Sequence, residues 1–184
     1  DVRVVRLNRE GRSEPDELAA RDGLEVGEII IRSPAKSTCC YVNNAEMTAR
    51  RFYKGYHYTG DLGTWDAQEC VTVVGRKDDM IVCAGENIYP TQIEAALNEH
   101  PKVAESAVIG VPDKRHGQCV AAWVVPADDS LTVEELKAYC ASHPMLSAYK
   151  RPKSYTLVKE LPHTATGKLL HYRLREQAAE KNSA

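Results

Sequence analysis

The sequence has no apolar run approaching the ~20 residues that a membrane-spanning helix needs, and no signal peptide opens it. Neither sign of charge is in large excess, because 24 Lys and Arg residues are nearly balanced by 26 Asp and Glu residues. No large basic field is therefore available to attract nucleic acid or an anionic membrane. Internal repeats and low-complexity segments are absent too. What is left is a globular protein whose 184 residues suffice for one domain or two small ones.

The six cysteines include no Cys-x-x-Cys pair, and no cluster of His and Cys has the spacing of zinc ligands. Two are adjacent and four stand singly within apolar runs: Cys39 and Cys40, then Cys70, Cys83, Cys119 and Cys140. This placement predicts free, mostly buried thiols in the reducing cytoplasm, and no metal site.

The chain opens directly on residues 2–7, which alternate like the middle of a β-strand. Neither a methionine nor a lead-in segment precedes them, which indicates a fragment. Further strands are predicted at 27–31, 56–58 and 71–74, and residues 44–54 permit a helix. Up to about residue 77 the pattern is therefore mainly β, like part of a barrel or sandwich.

After Asp78 the periodicity of the hydrophobic residues changes, and predicted strands alternate with predicted helices. Strands are predicted at 80–83, 103–109, 120–125 and 155–158, and a final helix from about residue 170. Two other helices start with capping-box patterns, formed by Thr91 with Glu94 and by Thr132 with Glu135. The mixture predicts a compact α+β unit, with the domain boundary near Asp78.

Four short segments combine polar residues in ways that can serve a reaction. They are Tyr58-Thr59-Gly60-Asp61, residues 75–81 running on to 85–94, residues 148–153, and Leu161-Pro162 followed by Thr166-Gly167-Lys168. Asp61, which we expect on a tight turn, can accept hydrogen bonds from the two vicinal hydroxyls of a ribose. Arg76 can donate to the same sugar. Lys168, on an expected exposed and flexible loop, can stabilise charge on a reacting carboxylate and phosphate.

Each segment also has an ordinary interpretation when it is taken alone. Asp61 is then a β-turn residue, Arg76 a member of a surface ion pair, and Lys168 a solvated side chain. The basic cluster at 150–153 is then a solvated face, and Gly85 a left-handed turn residue. The order and spacing of the four segments decide between the two kinds of interpretation.

In this order, the segments resemble the later motifs of the adenylate-forming (AMP-binding) superfamily. Its members include acyl- and aryl-CoA synthetases, peptide-synthetase adenylation domains and luciferases. The resemblance extends from about residue 27 to 175, and the stretch GRKDDMI…GENIYPTQIE is its most specific part. It implies an α+β fold in which residues 1–77 end a large N-terminal domain with a partial, barrel-like β subdomain. Residues 78–184 would form a mobile lid with a small sheet flanked by helices.

The resemblance also implies a reaction in two steps. A carboxylate attacks the α-phosphate of ATP to give an acyl-adenylate and pyrophosphate, and the thiol of CoA then displaces AMP. A lid that swings on a hinge lets one site serve both steps. Lys168 would be the catalytic lysine, Asp61 and Arg76 the nucleotide ligands, and Asp78 the hinge. The alternative for Asp78 is a simple cap or turn residue.

For the thiol step, the resemblance implies that the CoA and pantetheine ligands come from two places. They are Gly85 and Glu86, and then Tyr149, Lys150, Arg151 and Lys153. Gly85 would let the backbone pass close to the pantetheine arm, and the basic residues suit the phosphates of CoA. Domains that load a carrier protein usually have a methionine before the corresponding proline, so free CoA is the favoured acceptor.

The phosphate loop and the acid pocket of family members precede the region that is present here. We therefore expect this chain to be inactive alone and to need the N-terminal portion of the same protein. ATP, a carboxylic acid and CoA would be its small-molecule partners, with Mg²⁺ required only by the full-length enzyme. Two alternatives stay open: an adenylation domain that loads a carrier protein, and a non-catalytic α+β module that binds a partner or nucleotide.

Overall fold

A computed structural model of the chain describes residues 1–33 and 40–183. The chain divides into two compact units, Asp1–Asp78 and Asp79–Ala184. Each unit contains one five-stranded sheet together with helical structure, so the expected α+β class is confirmed. Among the helices within the described ranges, none has both the length and the apolar character needed to cross a membrane.

The first unit is organised around one long strand that pairs with three others. Its elements are β1 (Val2–Arg6), β2 (Gly27–Arg32), α1 (Ala45–Arg51), β3 (Phe52–Tyr53), β4 (Tyr56–Trp65) and β5 (Val71–Arg76). The order is β1-β2-β4-β3, β5 also pairs with β4, and all pairs are antiparallel. Helix α1 begins after Asn44, whose side chain accepts a hydrogen bond from Met47 N.

Both faces of this sheet carry apolar side chains. Val4 and Ile29 belong to the cluster that contains Trp65, whereas the adjacent Val5 and Ile30 belong to another cluster. Successive strand residues point to opposite faces, so β1 and β2 contribute to both clusters. The sheet therefore has a thin apolar core on each of its two faces, rather than one buried face and one solvent-exposed face.

Replacing Gly27 with alanine should destabilise the first unit by about 1–3 kcal/mol, the usual cost of forcing atoms into a packed interior. A Cβ atom there would overlap the carbonyl oxygen of Val5 and lie 2.8 Å from Val4 Cγ1. Gly11→Ala is the matched control, because the nearest atom that its Cβ would meet among the described residues is Asn8 Nδ2, at 3.8 Å. Urea denaturation of both variants checks the prediction, and equal stabilities would contradict it.

The second unit follows a single 3₁₀ turn at Lys77–Asp79. Its strands are β6 (Ile81–Cys83), β7 (Glu86–Ile88), β8 (Val103–Asp113), β9 (Gly117–Pro126) and β10 (Ser154–Leu157). Its helices are α2 (Pro90–Asn98), α3 (Val133–Ser142) and α4 (His171–Ser183). Strand β9 is central: it pairs antiparallel with β8 and β6, and parallel with β10.

Helices cover both faces of the second sheet. Val108 and Val124 pack with the buried residues of α2 and α3, whereas Ile109 and Trp123 pack with Leu174 of α4. Because adjacent residues of β8 and β9 point to opposite faces, both strands are buried on both sides and are apolar almost continuously. The two apolar runs that predicted these strands follow from this burial.

One of the two predicted capping boxes is wrong. Helix α2 starts at Pro90 with Tyr89 as its N-cap residue, and the Tyr89 side chain makes no capping hydrogen bond. Proline is favoured at the first helical position, which places Thr91 one residue inside the helix, where it cannot act as the N-cap. The second capping prediction holds, because the Thr132 side chain accepts a hydrogen bond from Glu135 N at the start of α3.

The cysteines in the described ranges are free thiols. Cys83, Cys119 and Cys140 are buried as expected, but Cys70 is exposed and so departs from the predicted apolar environment. Cys40 is also exposed, and Cys39 lies outside the described residues. Burial raises the pKa of the Cys140 thiol, which keeps it protonated.

Candidate functional site

Asp61 lies on a β-bulge rather than on the tight turn that the sequence predicted. Tyr58 faces Ile30 of β2, and Leu62 faces Glu28, so the three residues between them face Ile29 alone. Thr59 stabilises the bulge: its hydroxyl donates to Ile29 O at 2.8 Å and accepts from Asp61 N at 3.0 Å. Bulges re-aim side chains, and this one sets the direction of Asp61.

Gly60 is required at the centre of the bulge. Its φ is +76°, in the left-handed region that favours glycine. A Cβ atom there would overlap the Arg51 guanidinium, whose Cζ would lie 3.0 Å away. Both the backbone conformation and the neighbouring arginine therefore exclude larger residues from this position.

Asp61 and Arg76 are direct cross-strand neighbours in the β4–β5 pair. Arg76 Nη1 lies 2.6 Å from Asp61 Oδ1 and 3.3 Å from Thr59 O, and both side chains are about a third exposed. The pair is thus preorganised and open to solvent. Carboxylate oxygens that accept and guanidinium groups that donate suit the two hydroxyls of one sugar.

The predicted hinge residue, Asp78, is the last residue of the first unit. Lys77 Nζ lies 2.8 Å from Glu28 Oε2 and donates to Gly11 O at 2.7 Å, so this residue is bound within the first unit. Asp78 pairs with Arg50 and Arg51 of the first unit. Asp79 instead accepts from Arg175 Nη1 at 2.9 Å, within the second unit.

Lys168 lies on a hydrogen-bonded turn, not on a loose loop. Thr164 N donates to Lys168 O at 2.8 Å, and Lys168 N donates to Thr164 Oγ1 at 3.0 Å. Gly167, with φ of +81°, completes the turn. The Lys168 side chain is exposed and makes no hydrogen bond or ion pair with the described residues of its own unit. Its backbone is therefore fixed while its ammonium is available.

His171 links this turn to helix α2. It is the first residue of α4, and its Nε2 lies 2.7 Å from Glu94 Oε1, with both side chains largely buried. The same carboxylate oxygen accepts from Val108 N at 2.8 Å. Burial alone opposes the charged imidazolium, but the hydrogen bond and charge of Glu94, together with the charge of Asp79, raise the pKa of His171 above its ordinary value.

The free energy of unfolding of this chain should consequently fall as the pH rises above about 6.5, the ordinary His pKa, through the raised pKa of His171. A raised folded-state pKa means that the stabilisation is complete below the unfolded pKa and disappears above the folded one. Chemical denaturation across this range measures the effect. His171→Gln and Glu94→Gln should each remove this pH dependence, and an unchanged slope in both variants would contradict the assignment.

Gly85 forms the tip of a tight hairpin between β6 and β7. Cys83 pairs with Glu86 across a loop of two residues, and Ala84 and Gly85 have φ of +50° and +86°. Two successive positive φ values define the type I′ hairpin, which matches the twist of the strands. A Cβ atom at Gly85 would meet none of the described residues within 4 Å, so open space lies beside the backbone there.

The basic side chain of Lys153 lies near this hairpin tip, next to His116. Ala84 N donates to His116 O at 2.9 Å, and Lys153 Nζ lies 3.1 Å from His116 Nδ1. His116 Nδ1 is also 2.8 Å from Asp113 Oδ1. One ring nitrogen cannot donate to the carboxylate and accept from the ammonium at once, so the shorter contact favours an Nδ1–H that donates to Asp113. That hydrogen bond, followed by backbone donors, lowers the pKa of Asp113.

The other predicted CoA ligands are more dispersed. Glu86 is exposed beside the hairpin tip, and the Tyr149 ring is also exposed. Lys150 Nζ donates to Gln92 Oε1 on the first turn of α2 at 3.2 Å. Arg151 Nε donates to Leu146 O at 3.0 Å, so part of this guanidinium is used within its own loop. The structure therefore brings Lys153 to the hairpin tip, but not the whole basic cluster.

Several interactions of this site could not be read from the sequence. Glu94 and His171 are 77 positions apart, and Arg51 and Asp78 are 27 apart. No local pattern connects residues at such separations. The one available signal was Glu94 itself, which lies inside the most specific motif yet has no capping role. Within the described part of the chain, no group of three His, Cys, Asp or Glu side chains is arranged to hold a metal.

The chain is similar to several known proteins. Residues 92–168 match the family described as "AMP-binding enzyme C-terminal domain". The chain is 40% identical over 166 residues to a 2-succinylbenzoate–CoA ligase of Geobacillus sp. (strain WCH70), covering 90% of this chain and 33% of that protein. It is 42% identical over 170 residues to a long-chain-fatty-acid–CoA ligase of Bacillus subtilis (strain 168), covering 92% and 30%. The chain thus spans about a third of the length of these relatives.

Solved structures are also similar to this chain, and again the chain covers about a third of each. The o-succinylbenzoate CoA synthetase from Bacillus subtilis, in complex with its acyl-adenylate intermediate, matches 95% of this chain and 33% of that one at 32% identity and a TM-score of 0.78. ATP-bound MatB from Rhodopseudomonas palustris matches 96% and 33%, at 31% identity and a TM-score of 0.80. Both matches extend across nearly all of this chain.

Proposed function

We propose that this chain belongs to the AMP-binding enzymes, because residues 92–168 match their C-terminal domain, and that the complete polypeptide is an ATP-dependent carboxylic acid–CoA ligase. The acid's carboxylate attacks the α-phosphorus of ATP, and pyrophosphate leaves as the acyl-adenylate forms. The thiol sulfur of CoA then attacks the acyl carbon, loses its proton and expels AMP. The chain supplies residues for both steps, and the N-terminal portion of the same protein supplies the remainder.

The observation that carries this proposal is the preorganised Asp61–Arg76 pair on the bulge of β4. In the first step these side chains hold the ribose of ATP, and Lys168 brings its ammonium to the reacting carboxylate and phosphate oxygens. That ammonium offsets the negative charge that both reactants carry as they approach. Residues 1–77 then end the large domain, and residues 78–184 form the lid that turns at Asp78.

The second step uses the hairpin tip and its basic neighbour. Gly85 offers open space beside its backbone, where the pantetheine arm can pass, and Glu86 borders it. Lys153 and Lys150 supply positive charge for the phosphates of CoA, with Tyr149 and Arg151 on the same loop. Free CoA is therefore the proposed acceptor. ATP, CoA and free thiols are compatible with the cytoplasm, and Mg²⁺ would be needed by the full-length enzyme together with ATP.

The experiment is an assay of the complete polypeptide with ATP, Mg²⁺ and a panel of aromatic, medium-chain and long-chain carboxylic acids. Acid-dependent pyrophosphate release reports the first step, and the acyl-CoA product reports the second. A thioester that forms only on a phosphopantetheinyl carrier protein would replace CoA as the acceptor. Nucleotide binding without pyrophosphate release from any acid would favour a binding module instead.

A further inference from the structure

Two consecutive arginines at the end of α1 bind both carboxylate oxygens of Asp78. Arg50 Nη2 lies 3.3 Å from Asp78 Oδ1, and Arg51 Nη2 lies 3.1 Å from Oδ2. We refer to Arg50 and Arg51 as the arginine pair. Because each oxygen has its own cation, the orientation of the carboxylate is fixed along with its charge.

Arg51 also contacts the bulge that carries Asp61. Its side chain is only 11% exposed, and its Nη1 donates to Tyr58 O at 3.4 Å. Its guanidinium occupies the space that a side chain at Gly60 would need. One arginine therefore touches both the proposed nucleotide-binding bulge and the proposed hinge residue.

The neighbours of Asp78 are bound to different units. The Lys77–Glu28 pair is nearly buried, with the two side chains 18% and 6% exposed, and belongs to the first unit. Asp79 pairs with Arg175 of the second unit. Asp78 is 47% exposed and lies between these two ion pairs. Rotation of the backbone at Asp78 can therefore leave both neighbouring ion pairs unbroken.

We propose that the arginine pair consists of positioning residues that set the balance between the two poses of the lid, through Asp78. This inference rests on the proposed function, since it presumes a lid that serves two steps. Rotation about the Asp78 backbone changes the position of its carboxylate relative to the guanidinium groups of Arg50 and Arg51. Ion pairs that differ between two poses shift the population by the difference in their strength.

The expected magnitude is modest because the Arg50–Asp78 pair is largely exposed. Removing such a pair should change the ratio of the two half-reaction rates by about two- to fivefold. Arg51 is more buried and also contacts the bulge, so its loss should in addition raise the KM for ATP. Arg51→Lys keeps the charge but loses the forked guanidinium. A single ammonium cannot reach Tyr58 O and Asp78 together.

The test uses the complete enzyme and the variants Arg50→Met, Asp78→Asn and the double variant. Adenylation is measured as acid-dependent ATP–pyrophosphate exchange, and thioester formation is measured from supplied acyl-adenylate. Both single variants should shift the ratio in the same direction by about two- to fivefold, and the double variant should shift it no further than Asp78→Asn. Raising the salt concentration should move the wild-type ratio toward that of Arg50→Met.

Arg21→Met is the matched control. Arg21 makes a surface ion pair with Glu69 at 2.6 Å in the same unit, so its loss should leave the ratio unchanged. If the wild type is active and Arg50→Met, Asp78→Asn and Arg21→Met all keep its ratio of half-reaction rates, the role of the arginine pair is overturned. The proposed function would then still stand. Additive shifts in the double variant would overturn the role of the arginine pair as well. A wild type that forms no acyl-adenylate would overturn the proposed function, and with it this inference.

Discussion

Replacing Lys168 with alanine in the complete enzyme is expected to slow acyl-adenylate formation by about 10²–10³-fold, the usual cost of losing one preorganised electrostatic donor. Thioester formation from supplied acyl-adenylate should stay near the wild-type rate, because the proposed role of this ammonium belongs to the first step. The hydrogen bonds that fix its turn involve backbone groups of residue 168, so the alanine variant keeps the turn.

The measurement compares both half-reactions in one preparation. Lys159→Ala is the control, since Lys159 is another exposed lysine of the same unit. Lys168→Arg retains the charge on a bulkier group and should recover only part of the adenylation rate. Equal losses in both half-reactions would show that the residue has no step-specific role.

Replacing Asp61 with alanine should lower kcat/KM for ATP by about 10²-fold, as expected when a charged hydrogen-bonding group is lost. The proposed acceptor for the ribose hydroxyls disappears, and Arg76 loses the partner that lies 2.6 Å away. Wild-type enzyme should discriminate strongly against 2′-deoxy-ATP and 3′-deoxy-ATP. The alanine variant should lose most of this discrimination, because the group that detects the hydroxyls is gone.

The comparison of ATP with its deoxy analogues separates sugar recognition from damage to the fold. Asp16→Ala serves as the control, since Asp16 is an exposed acid of the same unit that lies outside the bulge. Asp61→Asn keeps an acceptor oxygen and should give an intermediate result. If Asp61→Ala still discriminates as strongly as wild type, the ribose is held elsewhere.

Much of the fold could be predicted because its signals are local. Residues 119–125 are apolar without interruption, which is what a strand buried on both faces requires, and β9 lies there. Thr132 and Glu135 gave the correct start of α3. Each of these features depends on side chains only a few positions apart, where the periodicity of helices and strands applies directly.

The errors arise where tertiary contacts outweigh local preference. Gly60 was interpreted as part of a turn, but a glycine within a strand pattern also indicates a bulge, and pairing with β2 decides for the bulge. Glu94 matched a capping pattern, yet its carboxylate binds Val108 N and His171. Contacts between distant segments, which no window of sequence contains, determined both outcomes.

The sequence suggested candidate residues for the site but not the geometry that relates them. The motif order indicated Asp61 and Arg76, but only the strand register makes them neighbours. The arginine pair was missed altogether, since two arginines at a helix end are ordinary in isolation. Motifs identify the groups that meet a ligand, whereas the residues that hold those groups become visible only when the chain is folded.

Asp78 and Asp79 are adjacent in sequence, yet their ion-pair partners come from opposite sides of the boundary, Arg50 and Arg51 before it and Arg175 after it. A recombination point between these two aspartates would therefore leave each carboxylate with its own arginine. The Lys77–Glu28 pair would be inherited intact as well. The junction is thus a natural site for exchanging second units between related proteins, because none of these pairs would have to be rebuilt in the hybrid.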